Sequence, residues 1–386
     1  MKDLIESALP DSCVVTGMGW VTPLGNSVSE VWSDLLKGES GVQEAPSDVP
    51  VRSDLAAIVP TVPLNESPHV RQLEITISAV NSALADAGIS IDADGVELIL
   101  GTSYAGNLDD PEVPSLYEWA QQAAERLGFP GAPLCVTTAC SAGSDSILMG
   151  AELIRSGRRA VCVCVGSDVV TPAKRLGHSL LGTMTDEALR SFDSRHNGMV
   201  LGEGAGVIVL ESAAHARGRS APVHAILRGE GSANDAAGMT APDPSGTSVV
   251  LAVERSLAGS GMSADDIAVV SAHGTGTPVN DAVEATSLRK LFGSGEHGPV
   301  VYGTKGALGH SLGACGTIEA ITLIKALEEG LAPPVQGLET PMDGFPRQLS
   351  IGSPSPVPGS SGVSLTLGFG GFNTALLFSR PGGGHE

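Results

Sequence analysis

The chain repeats itself, and that repeat constrains its fold more than any other feature. In the first half, a helical pattern ending at Ala87-Gly88 gives way to a polar link and the apolar run Val96-Glu97-Leu98-Ile99-Leu100, then Gly101-Thr102. In the second, a helical pattern ending at Gly259-Ser260-Gly261 leads through Asp265-Asp266 to Ile267-Ala268-Val269-Val270-Ser271, then His273-Gly274-Thr275. Another matched pair follows. Leu134-Cys135-Val136-Thr137 runs into a helix starting near Cys140, and Val300-Val301-Tyr302 runs through a loop into a helix starting near Leu312. Alternating strand and helix favours parallel sheets covered by helices, so the chain reads as an α/β protein built from two similar halves. The boundary falls near 212–222, which divides the chain into 1–212 and 213–386. In such sheets, sites form at the carboxyl ends of strands.

Composition suits tight packing of small side chains: 386 residues include 50 Gly, and only 17% are charged. The formal net charge of -21 repels a phosphate backbone, and no basic run offsets it, so nucleic acid is not an expected partner. No run of about 18 apolar residues occurs, and Met1 to Pro10 lacks an apolar core. A soluble, cytoplasmic protein with no membrane partner is expected. The helix read over Ser115 to Leu127 places Leu116, Trp119, Ala120, Ala123 and Leu127 on one face, as core packing requires.

Six cysteines, at 13, 135, 140, 162, 164 and 315, form neither a CxxC pair nor a Cys/His cluster at metal-ligand spacing, so no metal is expected. Five of them read as buried small hydrophobes, Cys162 and Cys164 within a β-branched strand. Cys140 differs. It stands in Val136-Thr137-Thr138-Ala139-Cys140-Ser141-Ala142-Gly143, where a strand turns into a helix whose apolar stripe is Ile147, Leu148, Ala151 and Ile154. A thiol at a helix start faces unpaired N–H groups and the positive end of the dipole, which favour the thiolate. Its small neighbours leave room for a bulky acyl thioester. His273 directly follows a strand, and His310 sits in Lys305-Gly306-Ala307-Leu308-Gly309-His310 between a strand and a helix. Because all three residues fall at junctions of the repeated units, the duplication itself can gather them. Two neutral imidazoles beside an acyl thiol suit decarboxylation of a malonyl thioester, since the enolate oxygen needs donors where charge develops. The run Gly368-Phe369-Gly370-Gly371-Phe372-Asn373 is the candidate glycine-rich loop for a second oxyanion.

These motifs together resemble the elongating β-ketoacyl-acyl-carrier-protein synthases of the thiolase superfamily. The likeness also covers Val14 to Gly19, Thr22-Pro23-Leu24-Gly25-Asn26 and the long run Phe192 to Gly206. It implies a thiolase-like five-layered αβαβα fold, an acyl-cysteine at Cys140, and decarboxylation assisted by His273 and His310. It further implies pairing of Lys305 with Glu284, and an oxyanion hole made by the N–H groups of Cys140 and Phe369. Phe369, Phe372, Thr275 and Thr277 are the implied substrate contacts, with Phe369 as a gate. No bound cofactor is implied; the substrate arrives on the phosphopantetheine of an acyl carrier protein. Members form homodimers, or heterodimers with a homologous subunit that lacks the cysteine. Two departures stand out: the stretch from Tyr104 to Cys140 is short, and Phe372 replaces a threonine. Arg155, Arg158, Arg159, Lys174 and Arg175 are the candidate contacts for an acidic carrier, or else a solvated face. Transfer or hydrolysis from the same acyl-cysteine, and a non-catalytic scaffold role, are the alternative functions.

Overall fold

The computed structural model describes residues 12–93, 95–104, 109, 113, 115–293, 298–346 and 348–382. Met1 to Pro10 and parts of the segment Ala105 to Pro133 lie outside the described residues.

Both halves use one strand order. In the first, strands Cys13–Val21, Val96–Gly101, Leu134–Val136, Val161–Asp168 and Gly204–Ser212 lie side by side in the order third, second, fourth, fifth, first. Strands Ala225–Asn234, Val269–Ser271, Val300–Tyr302, Ser361–Gly368 and Phe372–Ser379 repeat that order in the second. In each half the second strand pairs in parallel with its two neighbours, and the remaining pairs are antiparallel. A short strand, Gln348–Leu349, extends the second half at its outer edge. The halves join where Cys13–Val15 pairs with Ala225–Leu227, which makes one continuous 11-stranded sheet.

Helices cover both faces, so strands such as Val161–Asp168 are buried throughout, and that strand opens with the apolar run Val161 to Val165. Helix Pro68–Ala87 packs on the outer face of the first half and Thr247–Leu257 on that of the second. Between the two halves lie helices Ala142–Arg155 and Cys315–Glu329, which touch each other and strands of both halves. The result is the αβαβα layering. Helix Pro68–Ala87 is set by sequence at both ends: Ser67 accepts from the Val70 N–H, Pro68 opens it, and Gly88 closes it in the left-handed conformation. Where the central helices meet, a Cβ on Gly316 would strike Ser144, so only glycine permits that approach.

Each central helix is entered through a strained turn. Ala139 and Leu312 hold positive φ, 51° and 48°, and each opens a 3₁₀ turn, Ala139–Ser141 or Leu312–Ala314, before the α-helix begins. The strand expected from Ile267 starts at Val269, because Ala264–Asp266 is a 3₁₀ turn closed by a capping box between Ser263 and Asp266. Trp119, Ala120 and Ala123 are buried, and their helix, Leu116–Leu127, packs on Pro68–Ala87. Among the described residues, no helix is long and apolar enough to cross a membrane.

Candidate active site

The strained turn after Leu134–Val136 carries Cys140 into the interior, and the two histidines meet it from the other half. Cys140 Sγ lies 3.3 Å from His310 Nε2. The sulfur and one ring nitrogen of each histidine lie within 4.8 Å of one another. The two imidazoles meet edge to face, with centroids 5.2 Å apart and planes at 85°. All three side chains are buried yet line one cavity of about 270 Å3. Thr275, Thr277 and Phe369 also line it, and the exposed side chains of Leu181, Met239 and Val279 stand among its walls.

Hydrogen bonds fix each ring. His310 is tied by its backbone, with its N–H donating to Val200 O at 2.7 Å and its carbonyl accepting from the Gly202 N–H at 2.9 Å. Its Nδ1 accepts from the Leu312 N–H at 3.2 Å. A backbone amide only donates, so in the neutral ring the proton sits on Nε2, facing Cys140. Lys305 Nζ, 3.2 Å from His273 Nδ1, imposes the same tautomer on the second ring and also donates to the His273 carbonyl. Burial, then the Lys305 charge, holds both imidazoles well below the ordinary histidine range, so both are neutral. Sulfur and ring nitrogens are within reach of a shared metal ion, but the ammonium behind His273 repels a cation and keeps Nε2 protonated.

The thiol departs from expectation. Burial pushes Cys140 up to about 12, with Cys315 acting in the same direction, against Lys305 and a hydrogen bond from the Phe369 N–H. Full desolvation outweighs the helix terminus, and the resting group is a thiol.

Lys305 pairs with Glu319 on helix Cys315–Glu329, not with Glu284. Glu284 instead accepts from the His273 and Gly274 N–H groups and from Asn280 Nδ2, each at 2.7 Å. It therefore shapes the turn that presents His273. Burial opposes the Lys305 charge, but Glu319 and Glu284 among its neighbours raise its pKa above the usual lysine value, so it stays an ammonium. Phe372 does not line the cavity. It starts the strand Phe372–Ser379, over a third exposed, with its ring beside Gly370 and its carbonyl accepting from Ser141 Oγ at 2.6 Å.

The proposed carrier contacts are mostly occupied elsewhere. Lys174 is fully buried against Asp168, and Arg175, nearly buried, donates to the Ala45 and Ser53 carbonyls. Arg155 pairs with Glu230 and Arg159 with Glu97, leaving Arg158 exposed beside them. Residues missed in the sequence include Glu319, Asn280 and Cys315. An acidic residue inside the apolar run Ile318 to Ile324 is the signal that Glu319 needed a buried partner. Cys315, read as a small hydrophobe, is buried but lies 3.0 Å from His310 Nδ1.

Comparison with known proteins agrees with this geometry. The profile described as "Beta-ketoacyl synthase, N-terminal domain" matches residues 11–216, and "Beta-ketoacyl synthase, C-terminal domain" matches 224–339. The mitochondrial 3-oxoacyl-acyl-carrier-protein synthase of Arabidopsis thaliana is 31% identical, over 95% of this chain and 92% of its own. A β-ketoacyl synthase from Burkholderia phymatum STM815 has a TM-score of 0.87 at 27% identity, covering 96% of this chain and 99% of that one. The ishigamide ketosynthase/chain length factor gives 0.86 at 28% identity, with 96% and 99% covered. Matched through both halves, the chain belongs to the β-ketoacyl synthase family of the thiolase superfamily.

Proposed function

We propose that this chain is a β-ketoacyl-acyl-carrier-protein synthase that condenses an acyl group held on Cys140 with a malonyl-type thioester. One observation carries the reading: a thiol from residues 1–212 and two neutral Nε2–H donors from 213–386 converge on a single cavity. In the first step Cys140 Sγ attacks the carrier thioester; the new C–S bond replaces the old one, and the thiol proton leaves with the pantetheine sulfur. Because the resting thiol is protonated, this transfer needs the proton to move as the bond forms. In the second step the malonyl C–CO2 bond breaks, and its electron pair makes an enolate whose oxygen accepts from His273 and His310. The enolate carbon then attacks the acyl carbonyl, the bond to Cys140 Sγ breaks, and the sulfur takes up a proton from solvent to return to the resting thiol.

The N–H groups of Cys140 and Phe369 are the donors assigned to the tetrahedral oxyanion of that attack, a role supported by both residues lining the same cavity. Thr275 and Thr277, whose hydroxyls are 2.8 Å apart on the cavity wall, are assigned to the pantetheine arm. An acyl carrier protein is the partner, as the name of the Arabidopsis relative indicates for that protein. The strand Leu134–Val136 ends the sheet with a free edge among the described residues and a half-exposed Leu134, which supports self-association or pairing with a homologous subunit there. A cytoplasmic location completes the proposal. Incubation with an acyl carrier and malonyl-carrier protein should yield the β-ketoacyl product; free acid or an exchanged acyl thioester as sole product would replace condensation by hydrolysis or transfer.

A further inference from the structure

His310 lies between two sulfurs. Its Nε2 faces Cys140 at 3.3 Å, and its Nδ1 faces Cys315 Sγ at 3.0 Å. Cys315 is the first residue of the central helix Cys315–Glu329, is buried, and is also approached by Ser311, through its Oγ at 3.5 Å and its backbone N–H. The proposed chemistry uses only the Nε2 side of the ring and leaves this second thiol without a task.

The Leu312 amide is a donor, so it needs Nδ1 unprotonated, but at 3.2 Å it is a long contact. Against it stands the Cys140 S–H, which can also donate to the ring. In the free enzyme such a bond would move the ring proton to Nδ1, and a ring that kept this tautomer after Cys140 is acylated would offer the enolate one donor fewer. A second donor at Nδ1 tips this balance. Burial pushes the Cys315 thiol up to about 11, against the Lys305 charge, so it keeps its proton at neutral pH.

We infer that Cys315 is a positioning residue for His310: its S–H, donated to Nδ1, holds the ring proton on Nε2, aimed at Cys140 and at the enolate oxygen. The inference rests on the function proposed above. It makes the two half-reactions depend on Cys315 unequally, because decarboxylation needs the Nε2–H donor whereas acyl transfer to Cys140 does not.

The test compares the full chain with Cys315→Ala and Cys315→Ser in two assays. Acylation of Cys140 by an acyl-pantetheine thioester is followed by intact mass, and carbon dioxide release from malonyl-pantetheine is followed directly. Cys315→Ala should slow carbon dioxide release about tenfold, the value of one neutral hydrogen bond, while acylation changes by less than about twofold. Cys315→Ser, whose hydroxyl also donates, should recover release to within about threefold of the unaltered chain. The ¹⁵N shifts of His310 should show Nδ1–H gaining population in the alanine variant. Equal losses in both assays, serine no better than alanine, or an unchanged tautomer in Cys315→Ala would each overturn the inference while acylation of the unaltered chain upholds the proposed function. An unaltered chain that takes no acyl group overturns both.

Discussion

The two halves place the same backbone around different chemistry. Thr102 donates to the Val136 carbonyl just as Ala272 donates to Tyr302, so Ser103 and His273 occupy equivalent positions. The N–H of each is held by a buried carboxylate: Ser103 by Asp168 at 2.9 Å, His273 by Glu284 at 2.7 Å. The strained turns correspond too, with Cys140 after Ala139 and Gly313 after Leu312. Gly313 leaves no space for a side chain, because its N–H donates to Asp168 at 2.8 Å and a Cβ would sit as close to the same carboxylate. One half thus keeps the nucleophile and fills the site beside it with a charged pair, Asp168 and Lys174; the other keeps the imidazoles and spends its turn on packing. The duplication supplied two equivalent frames, and the proposed reaction draws its thiol from one and both imidazoles from the other.

That contrast can be broken at several points. The largest effect belongs to Cys140→Ser, which should lower condensation by about 10³-fold or more, because an unactivated hydroxyl replaces the one thiol among the described residues that line the cavity. Steady-state product formation measures it, and condensation within a factor of ten of the unaltered chain would move the nucleophile elsewhere. Next comes the central ammonium. Glu319→Gln takes away the carboxylate paired with Lys305 and should cost about 3–5 kcal/mol in denaturant unfolding, whereas Glu284→Gln, which weakens accepted N–H bonds and removes only a more distant charge from Lys305, should cost about 1–3 kcal/mol. Reversal of that order would restore Glu284 as the partner of Lys305. Gly313→Ala should destabilise by about 1–3 kcal/mol through crowding against Asp168 and Thr102, and a neutral result would dissolve the packing role given to that turn. The smallest effect is a slope. With the thiol raised to about 12, iodoacetamide labelling of Cys140 should rise about tenfold per unit from roughly pH 6 to pH 9, the sign expected below a raised pKa. A plateau near neutrality would return control to the helix terminus.

The division into two similar halves, the central helices and the trio of Cys140, His273 and His310 were legible because each trio member directly follows a repeated strand or precedes a repeated helix; the antiparallel pairs that join each half's remaining strands were not. What escaped depends on rotation and depth. Glu319 lies fourteen residues beyond Lys305 on a helix, and only its turn toward the interior makes it the partner. Sequence shows that Cys140 stands at a helix start, not that the second half closes over it, so the direction of its pKa was misjudged. Lys174 and Arg175 look like surface charge until strand Val161–Asp168 is seen to end in the carboxylate that draws Lys174 inward.

The central claim, that the first half's thiol carries the acyl group while the second half's two histidines serve decarboxylation, is tested most directly by single-turnover intact mass on the unaltered chain and on a His273→Ala/His310→Ala double variant. Both should acquire one acyl group on Cys140 from an acyl carrier, and malonyl-carrier protein should then discharge it as β-ketoacyl product only where both histidines are present. Discharge to that product by the double variant, or an acyl adduct on a residue other than Cys140, would contradict the account.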